Sequence, residues 1–313
     1  MPEQPLRTEN IPVGLVLGTS VVFAGLAYPV TGTALDLTSP SVVAVSRALL
    51  GALVMLPVLR RAGARLPQDV RGWAWATVIG VGNVTITLIA ISEGTRLAGA
   101  AVAAVLLNSA PFFVAVLARL VLDERLTPLR VAGLVVGFGG IVMVVAGEPS
   151  GSGGSRVAEG VIVCLVGSLA WAASGLGMRY LSVRDRSFDV LGTTTAQFLC
   201  GGVMLLPYLA VNGTGDTDWS SAELWLALAF LVVAAQVFTY MGFYVALARW
   251  TSARVFSWTF LVPAVAVVVE AVQGELPSAV TCIGMVVVIA GVAAVTHPRA
   301  EPRAAVQVQQ ADG

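Results

Sequence analysis

The sequence contains no lysine and one histidine (His297), and only 12% of its 313 residues are charged. Each shortage removes a class of chemistry. A phosphate-binding loop of the usual kind needs a lysine, so none is expected. A single histidine in the C-terminal tail supports neither a histidine metal site nor a proton relay within the chain. The three cysteines, Cys164, Cys200 and Cys282, lie inside apolar runs at spacings unlike those of zinc ligands or disulfides. They read as small core residues. No nucleophile–base arrangement and no basic stripe suited to nucleic acid is visible. No metal, cofactor, nucleic-acid partner or enzymatic activity is therefore expected.

What is present is hydrocarbon. Hydrophobic residues make up 57% of the chain, and the mean hydropathy is +0.86. A soluble chain would carry about 25% charge. Apolar runs cover 12–34, 41–59, 72–92, 98–122, 129–146, 158–180, 188–211, 223–247, 253–273 and 278–296. A helix of about 20 residues crosses a hydrocarbon core of about 30 Å, and a bilayer offers the backbone no other partner. These ten runs predict an all-α protein with ten transmembrane helices and the lipid bilayer as its solvent. Residues 1–11 are polar and predict no cleaved signal peptide. GEPSGSGGSR opens a linker at 147–157, and 297–313 form a polar tail.

Arginine alone sets orientation. Of 18 arginines, 15 fall in the N-terminus, the even-numbered connections and the tail. The odd connections hold only Arg96 and Arg156, and Arg47 lies inside the second run. The positive-inside rule then places both termini in the cytoplasm, for a multi-pass protein of the cytoplasmic membrane. Trp73, Trp75 and Trp250 fall at predicted inner edges, and Trp219 and Trp225 at an outer edge, as an aromatic belt requires.

The chain also repeats itself. SRALLGALVMLPVL from Ser46 aligns with AQFLCGGVMLLPYL from Ala196, sharing Leu49, Gly51, Leu56, Pro57 and Leu59 with their counterparts. The segment from Pro111 through Glu124 reappears from Pro263 through Glu275, with its arginines stripped. Five runs per half is an odd number, so the second half enters the membrane inverted. Arginine stays where the motif faces the cytoplasm and is absent where it faces out. The domains are thus a first five-helix repeat at 12–146 and a second at 158–296. Inverted repeats characterise secondary transporters, with the substrate held near the midplane between the halves.

These residues resemble a known family. Pro111, Glu124, Thr127, Gly133, Gly137 and Gly140 in the first half, with Pro263, Glu275, Gly284 and Gly291 in the second, are similar to the EamA-type transporters of the drug/metabolite transporter superfamily. Arg47 and Trp171 also sit where that family often has these types. The resemblance implies alternating access by a permease for amino acids, metabolites, nucleotide sugars or drugs. A small-metabolite exporter, for an amino acid or related compound, is the expectation. A multidrug or nucleotide-sugar-like exchanger is the alternative. An intramembrane enzyme is disfavoured by the lack of midplane catalytic groups, and polar residues in both halves argue against a non-transporting receptor.

Candidate site residues follow from cost and spacing. Arg47 lies about 20 Å from the inner loop, where burial costs at least ~2.5 kcal/mol. It needs carbonyls, water, an acid such as Asp36 or Glu93, or an anionic substrate. Asn83 and Thr87 are i,i+4 neighbours, as are Gln236 and Tyr240. Asn108 precedes Pro111 by one turn, and Ser168 and Trp171 share a helical face, with Ser174 beyond. Glu270 is the one acid inside a late run, and is either a rim carboxylate or the group that couples transport to protons. Glu124 and Glu275 close their spans as gate elements or as helix-end carboxylates, each after its proline, Pro111 or Pro263. Gly133-xxx-Gly137 provides a close helix contact within the chain or across a homodimer.

A cysteine placed at Thr127 is expected to react with an impermeant thiol reagent only from the cytoplasm, and one at Ser278 only from outside. Labelling of both from one side would remove the inverted repeat.

Overall fold

The computed structural model describes residues 13–121, 128–147, 152–184, 189–247, 258, 261–274 and 278–296. Among these residues there are helices and turns and no strand. Helices α1 (Val13–Leu35) and α2 (Pro40–Arg61) run through Pro29 and Pro57 without ending there. Between them Ser39 caps α2 by accepting from the Val42 amide. The third rod joins α3 (Val70–Gly80), a π-helical turn Val81–Ile86 and α4 (Thr87–Ala98). It continues past residue 92, where the polar ISEGTR suggested an end. Glu93 and Arg96 pair at 2.6 Å across one turn, while Gly94 packs against Cys164, so the polar segment is helical. Gly99, at φ 85°, ends it.

The fourth run is two helices, α5 (Ala100–Leu107) and α6 (Ala110–Val121), broken at Asn108–Ser109. Pro111 thereby falls in the first turn of α6, where its missing amide has no helical partner to lose. α7 (Pro128–Ala146) completes the first half. The second half begins with α8 (Ser152–Arg184), which starts inside the segment read as a linker, since a formed helix propagates at little cost. α9 (Val190–Met204) and α10 (Leu206–Asn212) follow, then α11 (Ala222–Ala229), a second π-helical turn Phe230–Phe238 and α12 (Thr239–Leu247). α13 (Leu261–Gln273) contains Pro263 in its first turn, and α14 (Ala279–Thr296) is last. Glu124 and Glu275, with Arg125 and Thr127, lie outside the described residues. Six of these stretches are long and apolar enough to cross a membrane, and four shorter apolar helices accompany them.

The packing is reciprocal between the halves. α1 packs on α12 and α13; its counterpart α8 packs on α4 and on α5 and α6. α2 meets the second π turn, as its counterpart α9 meets the first. Two further contacts join equivalent helices, α2 with α9 and α7 with α14. Both pairs are antiparallel. Gly202 lies against Ala48 and Leu49 while Gly192, earlier on α9, lies against Arg65 beyond the far end of α2. Likewise Gly140 meets Gly284 and Val288, while Gly291 meets Gly133 and Gly137. Equivalent helices running in opposite directions are what an inverted repeat produces.

Glycine sets the closeness of the α7–α14 contact. A Cβ on Gly291 would lie 2.6 Å from the Gly137 Cα and 2.7 Å from the Gly133 carbonyl oxygen. Backbone cannot move aside as a side chain can. The Gly133-xxx-Gly137 pair is therefore occupied by this chain's own second repeat. Gly291→Ala should lower stability in detergent by about 1–3 kcal/mol, the usual cost of overpacking. Gly139→Ala, with nothing within 4 Å of its Cβ position, should stay within about 0.5 kcal/mol of the parent. Equal melting temperatures for the two variants would show that the contact is not close.

Candidate functional site

A cavity of about 340 Å³ lies between the two halves. Arg47, Asn83, Thr87, Asn108, Trp171, Gln236 and Tyr240 all line it, so seven residues chosen from burial cost and spacing meet in one place. Ser168 does not line it. Its buried hydroxyl donates to the Leu107 carbonyl at 3.1 Å and fixes α8 to α5. Ser174, one turn beyond Trp171, does reach the cavity and donates to the Ile79 carbonyl.

Two amide-bearing bridges cross the cavity, related by the repeat. On one side Arg47 of α2 faces Gln236 of the second π turn, with Nη2 donating to Oε1 at 3.5 Å. On the other, Asn83 of the first π turn donates through Nδ2 to Gln197 Oε1 of α9 at 2.8 Å. Arg47 and Gln197 are counterparts in the aligned segments from Ser46 and Ala196. Gly51, one turn from Arg47, leaves room for Gln236, whose Cγ is 3.4 Å from where a Cβ would stand. Gly201 serves the same purpose on α9, with Val84 against it and its carbonyl accepting from Thr85 Oγ1.

The π turns themselves are held by matching threonines. An inserted residue displaces a carbonyl from the regular ladder, and such bulges recur at functional sites. Thr87 Oγ1 donates to the Gly82 carbonyl at 2.8 Å, and Thr239 Oγ1 to the Ala234 carbonyl at 3.1 Å. Thr239 also reaches the Ser20 carbonyl of α1. Asn108, at the α5–α6 break, donates to the Tyr28 hydroxyl at 3.1 Å and to the Ala104 carbonyl. Tyr240 stands edge-on to Phe198 at 5.4 Å between ring centres.

Gln197, Thr239, Tyr28 and Thr194 line the cavity without having been picked out from sequence. The repeat alignment could have found two of them, since Gln197 is the counterpart of Arg47 and Thr239 follows Thr87 in the same frame.

The acids proposed as partners of Arg47 are elsewhere. Glu93 accepts from Arg96 and, at 2.6 Å, from the Tyr208 hydroxyl. Asp36 lines a second cavity of about 440 Å³ with Thr95, Arg96 and Gln273. Arg47 is only 4% exposed, and its Nε and Nη1 have no hydrogen-bond partner among the described residues. Its contact to Gln236 is at the outer limit of a hydrogen bond. Glu270 belongs to α13, but its side chain lies outside the described residues, as does that of Pro111. No group of three or more metal-ligating side chains occurs among the described residues.

The Asn83–Gln197 bridge can be tested alone. Gln197 is fully buried, so Asn83→Leu leaves its carbonyl oxygen unpaired and should destabilise by about 1–3 kcal/mol. Adding Gln197→Leu should cost much less than the sum of the two single changes. Strict additivity in the double-mutant cycle would mean the two amides do not interact.

Comparison with known proteins places this architecture. The model of the EamA-like transporter family matches residues 12–146 and again 158–296. The uncharacterized transporter YvbV of Bacillus subtilis is 24% identical over 305 residues, covering 95% of each chain. A probable terminal-alkyne amino-acid exporter of Streptantibioticus cattleyicolor is 27% identical over 279 residues, covering 87% of this chain and 89% of that one. A solved crystal structure superposes with a TM-score of 0.62 at 17% identity, covering 91% of this chain and 96% of the other, and so shares its fold. Two matched repeats spanning most of the chain settle the family: this protein is a membrane protein of the EamA-like transporter family.

Proposed function

We propose that the protein is a secondary transporter that exports a small organic metabolite, an amino acid or related compound, across the cytoplasmic membrane by alternating access. The observation that carries this reading is the cavity between the repeats, lined from the first by Arg47 and Asn83 and from the second by Gln197 and Gln236. A site shared by two inverted repeats opens to either side as one repeat rocks against the other. Its volume is near the lower end of the ~300–1,000 Å³ usual for small-molecule sites. That favours a metabolite over a nucleotide sugar or a large drug. The Streptantibioticus relative, named as a probable amino-acid exporter, supports the same class.

Ten crossings with both termini in the cytoplasm complete the proposal. The six long and four short apolar helices fall one to each apolar run of the sequence, and the arginines lie 15 to 2 on one side. The cavity extends to Met178, near the arginine-bearing end of α8, and to Val190 at the start of α9. It is therefore loaded from the cytoplasm. Protons are the proposed coupling ion, with Glu270, the one acid inside a late apolar run, as the carrier.

Proteoliposomes containing the purified protein should move labelled amino acids along an imposed pH gradient, and Glu270→Gln should retain binding while losing gradient-driven accumulation. Uptake by the Glu270→Gln protein equal to the parent would remove Glu270 from coupling. Absence of flux for every amino acid and related metabolite tried would overturn the transport reading.

A further inference from the structure

We propose that the substrate carries a single carboxylate and that Arg47 is the residue that binds it. This deepens the transporter reading and rests on it.

Charge balance carries the argument. Among the described residues the cavity lining includes one arginine and no aspartate, glutamate, histidine or lysine. A buried guanidinium stripped of water is costly unless paired and fully hydrogen-bonded. Arg47 is more than nine-tenths buried, its Nε and Nη1 are unpartnered among the described residues, and Nη2 has one contact to a neutral amide. The acids considered as a permanent counter-ion, Glu93 and Asp36, are engaged with Arg96 and Tyr208 or placed in the second cavity. Nothing described in the site neutralises this charge.

The second repeat shows that the fold does not require the charge. At the equivalent position Gln197 bridges to the opposite π turn with a shorter hydrogen bond, 2.8 Å against 3.5 Å. A glutamine thus performs the structural task, and the arginine adds a cation with free donors. A planar fork of donors matches a carboxylate in two parallel hydrogen bonds. One cation balances one negative charge, so a phosphate dianion would leave charge uncompensated in the same enclosure. Broken symmetry also orients the ligand. Its carboxylate lies toward α2 and the second π turn, and its uncharged or ammonium end toward Gln197, Asn83 and Trp171.

The test uses purified full-length protein in detergent and matched probes. L-leucine, L-leucinamide and 4-methylpentanoate form one set; L-phenylalanine, L-phenylalaninamide and 3-phenylpropanoate form the other. Binding is read by thermal shift and by competition, and flux is read in proteoliposomes. At least one acid is expected to bind at least about ten-fold more tightly than its amide, the scale of a charge-assisted hydrogen bond. Arg47→Gln, which installs the residue of the second repeat, should abolish that difference, and Arg47→Lys should keep it in weakened form. Equal binding by amino acid and desamino acid would assign recognition to the carboxylate alone. Stronger binding by the amino acid would add an ammonium subsite; either result upholds the proposal.

Amides that bind the parent as well as their acids in both sets would overturn it, and so would an Arg47→Gln protein that still prefers the acid. Should Arg47→Gln fail to fold, the acid–amide comparison on the parent decides. Flux of amides without flux of acids would sink the carboxylate and leave the transporter standing, whereas no flux of any probe and no binding would remove both.

Discussion

A hydrocarbon environment offers backbone amides and carbonyls no partner, so every such group must be satisfied within the protein. That constraint explains why the described chain is helix upon helix, and also where it departs from regular helix. Each π turn moves a carbonyl out of the ladder, and each is answered by a threonine hydroxyl, Thr87 to Gly82 and Thr239 to Ala234. At the α5–α6 break, Asn108 answers the Ala104 carbonyl. Irregular backbone at depth is tolerated where it lines a cavity, and these are the places where Asn83, Gln236 and Asn108 enter the site. The polar site and the backbone irregularities have one cause.

Close packing supplies the rest of the stability. Lipid tails are as apolar as the side chains they touch, so helix association depends on contact and on small residues that permit it. Gly133, Gly137 and Gly140 against Gly284 and Gly291 bring α7 and α14 to backbone distance. Away from that seam, glycine recurs where rods from different halves cross, as at Gly25 against Val262 and Val265, and at Gly167 against Ala90 and Leu107. The α1–α2 connection is tied to the segment before α11: the Thr38 and Thr217 hydroxyls bond, Ser41 donates to the Gly213 carbonyl, and the Asp218 amide donates to the Leu37 carbonyl.

Most of the helices are legible in the sequence because hydrophobic run length is read one residue at a time. The third rod was misread at its end, since Ser92, Glu93 and Thr95 look like a loop until Cys164 and Tyr208 are known to face them. The α5–α6 break was hidden because Asn108 and Ser109 are only two polar residues within a long apolar run. In the site, i,i+4 spacing found Asn83 with Thr87 and Gln236 with Tyr240 because helical faces are local information. It failed for Ser168, which shares a face with Trp171 yet turns to the Leu107 carbonyl. Gln197 was hidden for another reason. It follows three threonines in α9, and only its position opposite Arg47 in the repeat marks it out.

That comparison between Arg47 and Gln197 separates architecture from function more cleanly than either residue alone. Two repeats of one ancestral pattern would, without further demand, use similar side chains at both ends of the pseudo-symmetric site. Hydrogen-bonding amides do recur on both sides, at Asn83 and Gln236, and so do the threonines behind them. The charge does not. A residue required for packing has a reason to be present in both halves, whereas a ligand with distinct ends needs a site with distinct ends. Asymmetry at Arg47 is thus the feature least explained by folding. A ligand that neutralises it would shift the balance between inward-open and outward-open forms only insofar as it binds them unequally. In an inverted repeat that inequality has a natural source. In the alternating access proposed above, each rocking motion would exchange the surroundings of the two bridges, so the cation on α2 and the amide on α9 would trade places relative to water.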